Sequence, residues 1–328
     1  MGKKLCLGLI FSFSSAFSVF SLAWGAGAAL EKVRMSTPAR SLSTLHIRVA
    51  QEKGFFRKYG LEVEAIQMRP AISVVALISG EVQYLASVGS AVRAAAQGAP
   101  ITVVAVANRA PFFSLVARPQ YRNIQELKGK EIGLTGNPGG TNDRTMRLVL
   151  KQAGLDPEKD VKLIYAGEAP VLFSAFMAGR FDAMFLSLPF PVAAEQKGFP
   201  ILVNAAERVQ IPLSGLAVTT GKLKSDRAQV KRVLKAQVEA QRFIKRDKEA
   251  TLQVMMSWLG LDRVVADRAY ELYIPALTQE ATVEREGNRR VIEMELEAGI
   301  PLRVTDVDKI LDPTVAEEVN RELARTSR

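Results

Sequence analysis

Four short polar segments of this 328-residue chain carry side chains suited to holding a small molecule. The first is Thr37-Pro38-Ala39-Arg40-Ser41-Leu42-Ser43-Thr44, in which Ser41, Ser43 and Thr44 supply hydroxyls ahead of a helical pattern. The others are Ser87-Val88-Gly89-Ser90, Asn108-Arg109, and Gly136-Asn137-Pro138-Gly139-Gly140-Thr141-Asn142-Asp143. Serine, threonine and asparagine in such places also serve simply as helix caps, and capping alone accounts for part of the set. The glycine-rich segment is the most informative. Gly139 and Gly140 let the backbone approach a ligand, and the helix opening at Thr141 and Asn142 presents unpaired amides with partial positive charge, which suits a carboxylate, sulfonate or phosphate. A plain tight turn is the alternative for the same residues. Arg109 is suited to clamping an anion or to a surface ion pair. Glu168, after Ala166-Gly167, can accept from a ligand amine or hydroxyl, or cap the helix that begins near Pro170. Ser187-Leu188-Pro189-Phe190-Pro191 completes the set, its prolines stiffening a loop before a helix that starts near Val192.

Most routes to covalent chemistry are closed by composition. Cys6 is the single cysteine and His46 the single histidine. Cys6 lies in the apolar leader described below, so the exported chain has no cysteine for a disulfide, a thiolate nucleophile or a metal site. One histidine excludes the two-histidine zinc motifs and leaves at most one candidate for a serine-histidine-aspartate arrangement. The lysine and hydroxyl of a phosphate loop and the glycine triad of a dinucleotide loop are both missing. The expectation is a protein with no catalytic residue, no metal and no cofactor.

Gly2, Lys3 and Lys4 form a short basic start, followed by an almost uncharged apolar run from Leu5 to Trp24 and small residues at Ala26-Gly27-Ala28. This is the layout of a signal peptide cleaved before Ala29, which places the remaining chain in the periplasm; an uncleaved anchor is the alternative. Loss of Lys3 and Lys4 takes 44 basic residues to 42 against 34 acidic ones, so the net charge falls from +10 to +8. Lysine and arginine are interspersed with acids, as in Arg242, Lys245, Arg246, Asp247, Lys248 and Glu249. That describes a solvated surface with mild attraction for anions rather than a nucleic-acid patch.

The elements that position the polar segments form an α/β pattern of short apolar runs alternating with helices. Strands are expected at Val33–Ser36, Leu61–Ile66, Val82–Ala86, Ile101–Ala107, Glu131–Thr135, Val161–Tyr165, Ala183–Leu186 and Ile201–Asn204. In such sheets ligands sit beyond the carboxyl ends of strands, where the polar segments fall. Leu77-Ile78-Ser79-Gly80-Glu81-Val82-Gln83-Tyr84-Leu85-Ala86-Ser87 is echoed about a hundred residues later by Phe176-Met177-Ala178-Gly179-Arg180-Phe181-Asp182-Ala183-Met184-Phe185-Leu186-Ser187. Each reads as helix end, capping glycine, strand and terminal serine, which implies two similarly wound lobes. After Asp226 come amphipathic helices at Gln229–Lys245, Lys248–Trp258, Val264–Tyr273 and Thr314–Ala324, expected to pack outside a lobe rather than extend a sheet.

Read in order, several stretches resemble the family of periplasmic binding proteins that includes the alkanesulfonate binders and the thiamine-pyrimidine synthase-like proteins. They are Val49-Ala50-Gln51-Glu52-Lys53-Gly54-Phe55-Phe56-Arg57-Lys58-Tyr59-Gly60-Leu61-Glu62-Val63, Met68-Arg69-Pro70, Val116-Ala117-Arg118-Pro119, Leu127-Lys128-Gly129-Lys130-Glu131-Ile132-Gly133, Gly154-Leu155-Asp156-Pro157 and Gly179-Arg180-Phe181-Asp182-Ala183. The resemblance implies a type II periplasmic-binding-protein fold, two α/β lobes with a ligand cleft between them and extra C-terminal helices. It implies crossings near Val116–Pro119 and Gly215–Thr219, hence one lobe from residues 29–117 and 218–328 and the other from 118–217. It also implies an ABC importer's solute-binding component, monomeric, with a small-molecule ligand and a permease and its ATPase as partners. A ligand-presenting sensor shares these features. The family's enzyme branch uses a histidine in the first loop and a cysteine-rich iron-binding run. Here Thr44 takes that histidine's place, with His46 two residues late, and the cysteines are absent.

Overall fold

The computed structural model describes residue 2 and residues 29–326; Lys3, Lys4, the apolar run and Cys6 fall outside the described residues. Eleven strands form two sheets. The first holds β1 (Glu31–Thr37), β2 (Leu61–Gln67), β3 (Tyr84–Ser87), β4 (Ile101–Asn108), β10 (Ser214–Thr219) and β11 (Leu277–Thr282), in the order β11-β4-β10-β3-β1-β2. The second holds β5 (Phe113–Ala117), β6 (Glu131–Leu134), β7 (Lys162–Tyr165), β8 (Ala183–Ser187) and β9 (Ile201–Asn204), in the order β7-β6-β8-β5-β9. The two share one plan. In each, three parallel strands (β2-β1-β3 and β7-β6-β8) are followed by an antiparallel one (β10 and β5) and then by β4 or β9. The internal echo in the sequence is therefore an echo in topology, with β3 and β8 in equivalent places.

Strand composition explains their positions. β4 is buried at every residue, as a central strand covered on both faces should be, whereas β1 alternates near its exposed start. All eight expected strands are present, most within a residue or two of the expected ends. The chain passes between sheets at residues 109–112 and 205–213, ahead of the expected crossings, because Phe113–Ala117 already pairs with β8 and Gly215–Thr219 with β4. The extra antiparallel strand of each sheet is thus supplied by the chain as it leaves or re-enters. The C-terminal region also departs from expectation: β11 pairs with β4 and extends the first sheet at its edge. Its pattern, with Gln279 and Glu280 exposed between Leu277 and Ala281, carries little strand signal.

Around this frame the C-terminal helices act as scaffold. Helix Arg227–Arg246 is capped by Asp226, whose Oδ1 accepts from the Gln229 amide at 3.2 Å. It buries Val230, Val233, Leu234, Val238 and Ala240 against the first lobe's core. Each of the valine and leucine side chains contributes roughly 1.5–3 kcal/mol. Among the described residues no helix is long and apolar enough to cross a membrane.

His46 belongs to this core. It is the second residue of helix Leu45–Glu52 and is fully buried, with no hydrogen-bond partner for either ring nitrogen. Burial lowers its pKa to about 3. Below about pH 6.5 the unfolded chain takes up a proton that the native state refuses, so stability present above that pH is lost as pH falls toward 3, about 1.4 kcal/mol per unit. By pH 5 the expected loss is about 2 kcal/mol. A His46→Leu variant should show a correspondingly flatter acid limb in urea titrations between pH 7 and 5; parallel curves would refute this assignment.

Candidate functional site

The carboxyl ends of β1, β3 and β4 in one sheet, and of β6 and β8 in the other, carry most of the polar segments read from the sequence. Their hydroxyls divide into two groups. In the first loop they serve the loop itself: Ser41 caps the turn Leu42–Thr44 and shares a 2.9 Å bond with Ser43, while the Thr44 hydroxyl donates to the Ala39 and Ser41 carbonyls. Asn108, at the end of β4, ties this loop down, donating to the Ser43 carbonyl at 3.2 Å and to the Ser214 hydroxyl. Its Oδ1 is buried without a partner, as is the Tyr273 hydroxyl. Burial pushes that phenol far above its ordinary pKa, opposed only by the nearby Asn108 amide. Both groups are fully buried and lie beside one another.

The second group joins the two lobes. Ser87 donates to Ser90 at 3.0 Å, and Ser90 accepts from Nη2 of Arg93 at 3.3 Å. The same Nη2 donates across the junction to Oγ1 of Thr141 at 3.1 Å. Arg93 sits six residues into helix Val88–Ala96, and its side chain reaches back toward the helix start, over Gly89. Gly89 is what makes room: a Cβ there would lie 2.9 Å from Thr141 Oγ1 and 3.4 Å from the Arg93 guanidinium.

The electrostatics of this junction are unbalanced. Arg93 is half-buried, and the desolvation of its guanidinium lowers its pKa; Glu295 acts against the shift and Arg144 with it. Arginine stays charged nonetheless. Its hydrogen-bond partners among the described residues are neutral hydroxyls. The neighbouring carboxylate, Glu295 on helix Arg285–Glu297, is taken by Arg144 of helix Thr141–Gln152 in a two-point contact, 3.1 Å from Nε and 3.3 Å from Nη2. Asp143 is engaged elsewhere, by Arg147, Tyr165 and the Gly139 amide.

The structure therefore brings Ser87, Gly89, Ser90 and Thr141 together around a cation that the sequence reading passed over. One signal was available, a glycine four residues before an arginine on one helix face, the spacing at which a long side chain folds back over the glycine. Gly139 and Gly140 take a different part from the one expected. The Gly139 amide donates to Asp143 and the Gly140 amide to the Asn137 carbonyl, so the open donors of this helix start are the amides of Thr141, Asn142 and Asp143. Gly139 is in the left-handed region at φ 77°, which is reason enough for a glycine. The Asn142 side chain is structural, accepting from the Thr135 amide and donating to the Phe185 carbonyl. Ser187 is half-buried at the end of β8, and Pro189, after a cis peptide bond, is buried before helix Phe190–Glu195. Arg109 is exposed and acts on Lys245, and Gly167 and Glu168 are exposed. Two cavities, of about 240 and 350 Å³, lie away from the junction, the larger among Arg242, Lys245, Arg246, Gln279 and Glu280.

Residues 43–250, well over half of the chain, match the family model described as "NMT1/THI5 like". The chain belongs to this family. It is 27% identical over 253 residues to the "Putative binding protein YtlA" of Bacillus subtilis, covering 74% of this chain and 75% of that one. It is 30% identical over 145 residues to a "Putative thiamine biosynthesis protein" of Haemophilus influenzae, covering 42% of this chain and 44% of that one. Among solved structures, the alkanesulfonate-binding protein SsuA of Xanthomonas axonopodis pv. citri, bound to MOPS, superimposes with a TM-score of 0.74 over 87% of this chain and all of that one, at 18% identity. The periplasmic-binding-protein fold implied by the resemblance is the fold found. The proteins it is similar to include both binding proteins and one named for biosynthesis, so the fold does not choose the chemistry.

Proposed function

We propose that this chain is the periplasmic solute-binding component of an ABC importer, taking up a small organic anion between its two lobes and handing it unchanged to a membrane permease. One observation carries this reading: a half-buried arginine at the lobe junction whose hydrogen-bond partners, Ser90 from one lobe and Thr141 from the other, are both neutral. Desolvating a cation without a directly paired counter-ion costs stability, and a solute carboxylate or sulfonate at this point would supply the missing charge. Because the contacts come from both lobes, the solute would favour the closed arrangement, the differential affinity that drives a hinge closure. The two sheets then correspond to the two lobes. An enzymatic role would need a reactive group at the cleft, and His46 is sealed in the core instead.

The direct test is a thermal-shift screen of sulfonates and carboxylates, followed by mass spectrometry of the bound compound. A ligand at about 100 times its dissociation constant should add roughly 2.7 kcal/mol of stability. Recovery of a chemically altered compound would overturn the binding-protein reading.

A further inference from the structure

The charges at the lobe junction can be counted, and the count points to the class of solute. Three ionic side chains act on one another there: Arg93 from helix Val88–Ala96, Arg144 from helix Thr141–Gln152 and Glu295 from helix Arg285–Glu297. Glu295 is only 3% exposed and Arg144 holds both its oxygens, through Nε and Nη2. Two positive charges and one negative leave a single net positive charge at the junction. We propose that Glu295, through its pairing with Arg144 beside Arg93, sets the charge of the solute at minus one, so that the site accepts monoanions such as sulfonates and carboxylates and rejects dianions.

The inference rests on the reading of Arg93 as the partner of the solute's anionic group. A monoanion there brings the net charge of the junction to zero. A dianion leaves a net negative charge in a site partly shielded from water, where repulsion is screened less than at the surface. Discrimination of this kind depends on a repulsive element as much as on an attractive one; here it is the surplus charge of a dianion, and Glu295 fixes where that surplus begins by cancelling Arg144. Glu295 touches no solute in this scheme; it is a positioning and specificity residue that acts through Arg144 and through its field.

Methanesulfonate and sulfate are suitable probes, tetrahedral sulfur oxyanions that differ in charge. Isothermal titration of the purified chain at fixed ionic strength should give methanesulfonate at least a tenfold advantage over sulfate. Glu295→Gln raises the count to two positive charges, and the ratio should fall at least tenfold. Arg144→Gln lowers the count to zero and should weaken methanesulfonate at least tenfold. The double variant Arg144→Gln/Glu295→Gln removes the pair, restores a count of one and should regain the original preference. Should Glu295→Gln fail to fold, the double variant decides: a folded double variant without the preference for methanesulfonate overturns the proposal. Single variants that bind methanesulfonate with an unchanged ratio also overturn it, while leaving the Arg93 reading intact. Failure of the unaltered chain to bind either probe at tens of millimolar would sink both readings together.

Discussion

An Arg93→Gln variant should lose at least a hundredfold in affinity for the best organic anion of the screen while its ligand-free form melts at the same temperature or higher. The two halves of this expectation come from one feature. With solute bound, Arg93 makes one or two charge-assisted hydrogen bonds in a site drawn from both lobes, each worth roughly 1.5–3 kcal/mol, and a loss of about 3 kcal/mol is more than a hundredfold. Without solute, the half-buried guanidinium hydrogen-bonds only to the Ser90 and Thr141 hydroxyls among the described residues. Glutamine keeps a donor for those hydroxyls and removes the desolvated charge, so the empty protein gains or breaks even. A residue that stabilised the fold would show the reverse pattern, and a site residue retained at a cost to stability shows this one. Calorimetric titration together with a melting curve on the same preparation reads both. A variant that binds normally, or one that melts well below the parent, would make Arg93 a structural residue and remove the basis for the anion site.

Why Arg93 escaped the sequence reading follows from geometry. The strand ends were legible because β1, β3, β6 and β8 are short apolar runs closed by glycine, serine or threonine, and loops at the carboxyl ends of parallel strands are where ligands gather. Serine and threonine in those loops could be named, but whether they cap or bind depends on contacts across the cleft. The Ser41, Ser43 and Thr44 hydroxyls turn inward on their own loop, whereas Ser90 is held ready by Ser87. Arg93 and Thr141 are 48 positions apart, and Arg144 and Glu295 are 151 apart. No local pattern reports such pairings. Legibility also failed where strand and crossing coincide. The strand expected at Ile101–Ala107 runs to Asn108 and is followed after only four residues by a second, Phe113–Ala117, in the other sheet, with no helix between them to mark the change. At β11 the failure is compositional, since an edge strand with Gln279 and Glu280 facing water lacks the apolar run by which strands are recognised.

Gly215→Ala should be the most damaging single methyl in the chain. β10 lies between β3 and β4, and the pairing slips as the strand begins: Ser214 faces Asn108 but Gly215 faces Val106, so Ala107 is the extra residue of a bulge. At that step the two backbones close in. A Cβ on Gly215 would stand 2.2 Å from the Ala105 carbonyl oxygen and 2.7 Å from the Val106 Cα. Neither atom can rotate out of the way, unlike the Arg303 side chain that crowds Gly98. The added methyl must therefore part β10 from β4 over at least one ladder step, and interior overpacking of this kind costs about 3 kcal/mol or more. At about 2–4 °C per kcal/mol for a protein of this size, the melting temperature should fall by roughly 6–12 °C. Binding should suffer too, because Ser214, the partner of the Asn108 that ties down the first loop, precedes the displaced residue. Gly221→Ala is the control six residues on. It lies in helix Thr220–Ser225, where a Cβ would meet nothing closer than 3.9 Å, and alanine there should be neutral or stabilising by up to about 1 kcal/mol. A Gly215→Ala protein that melts within about 2 °C of the parent, an allowance of roughly 1 kcal/mol, would show that β10 and β4 approach less closely than this packing requires.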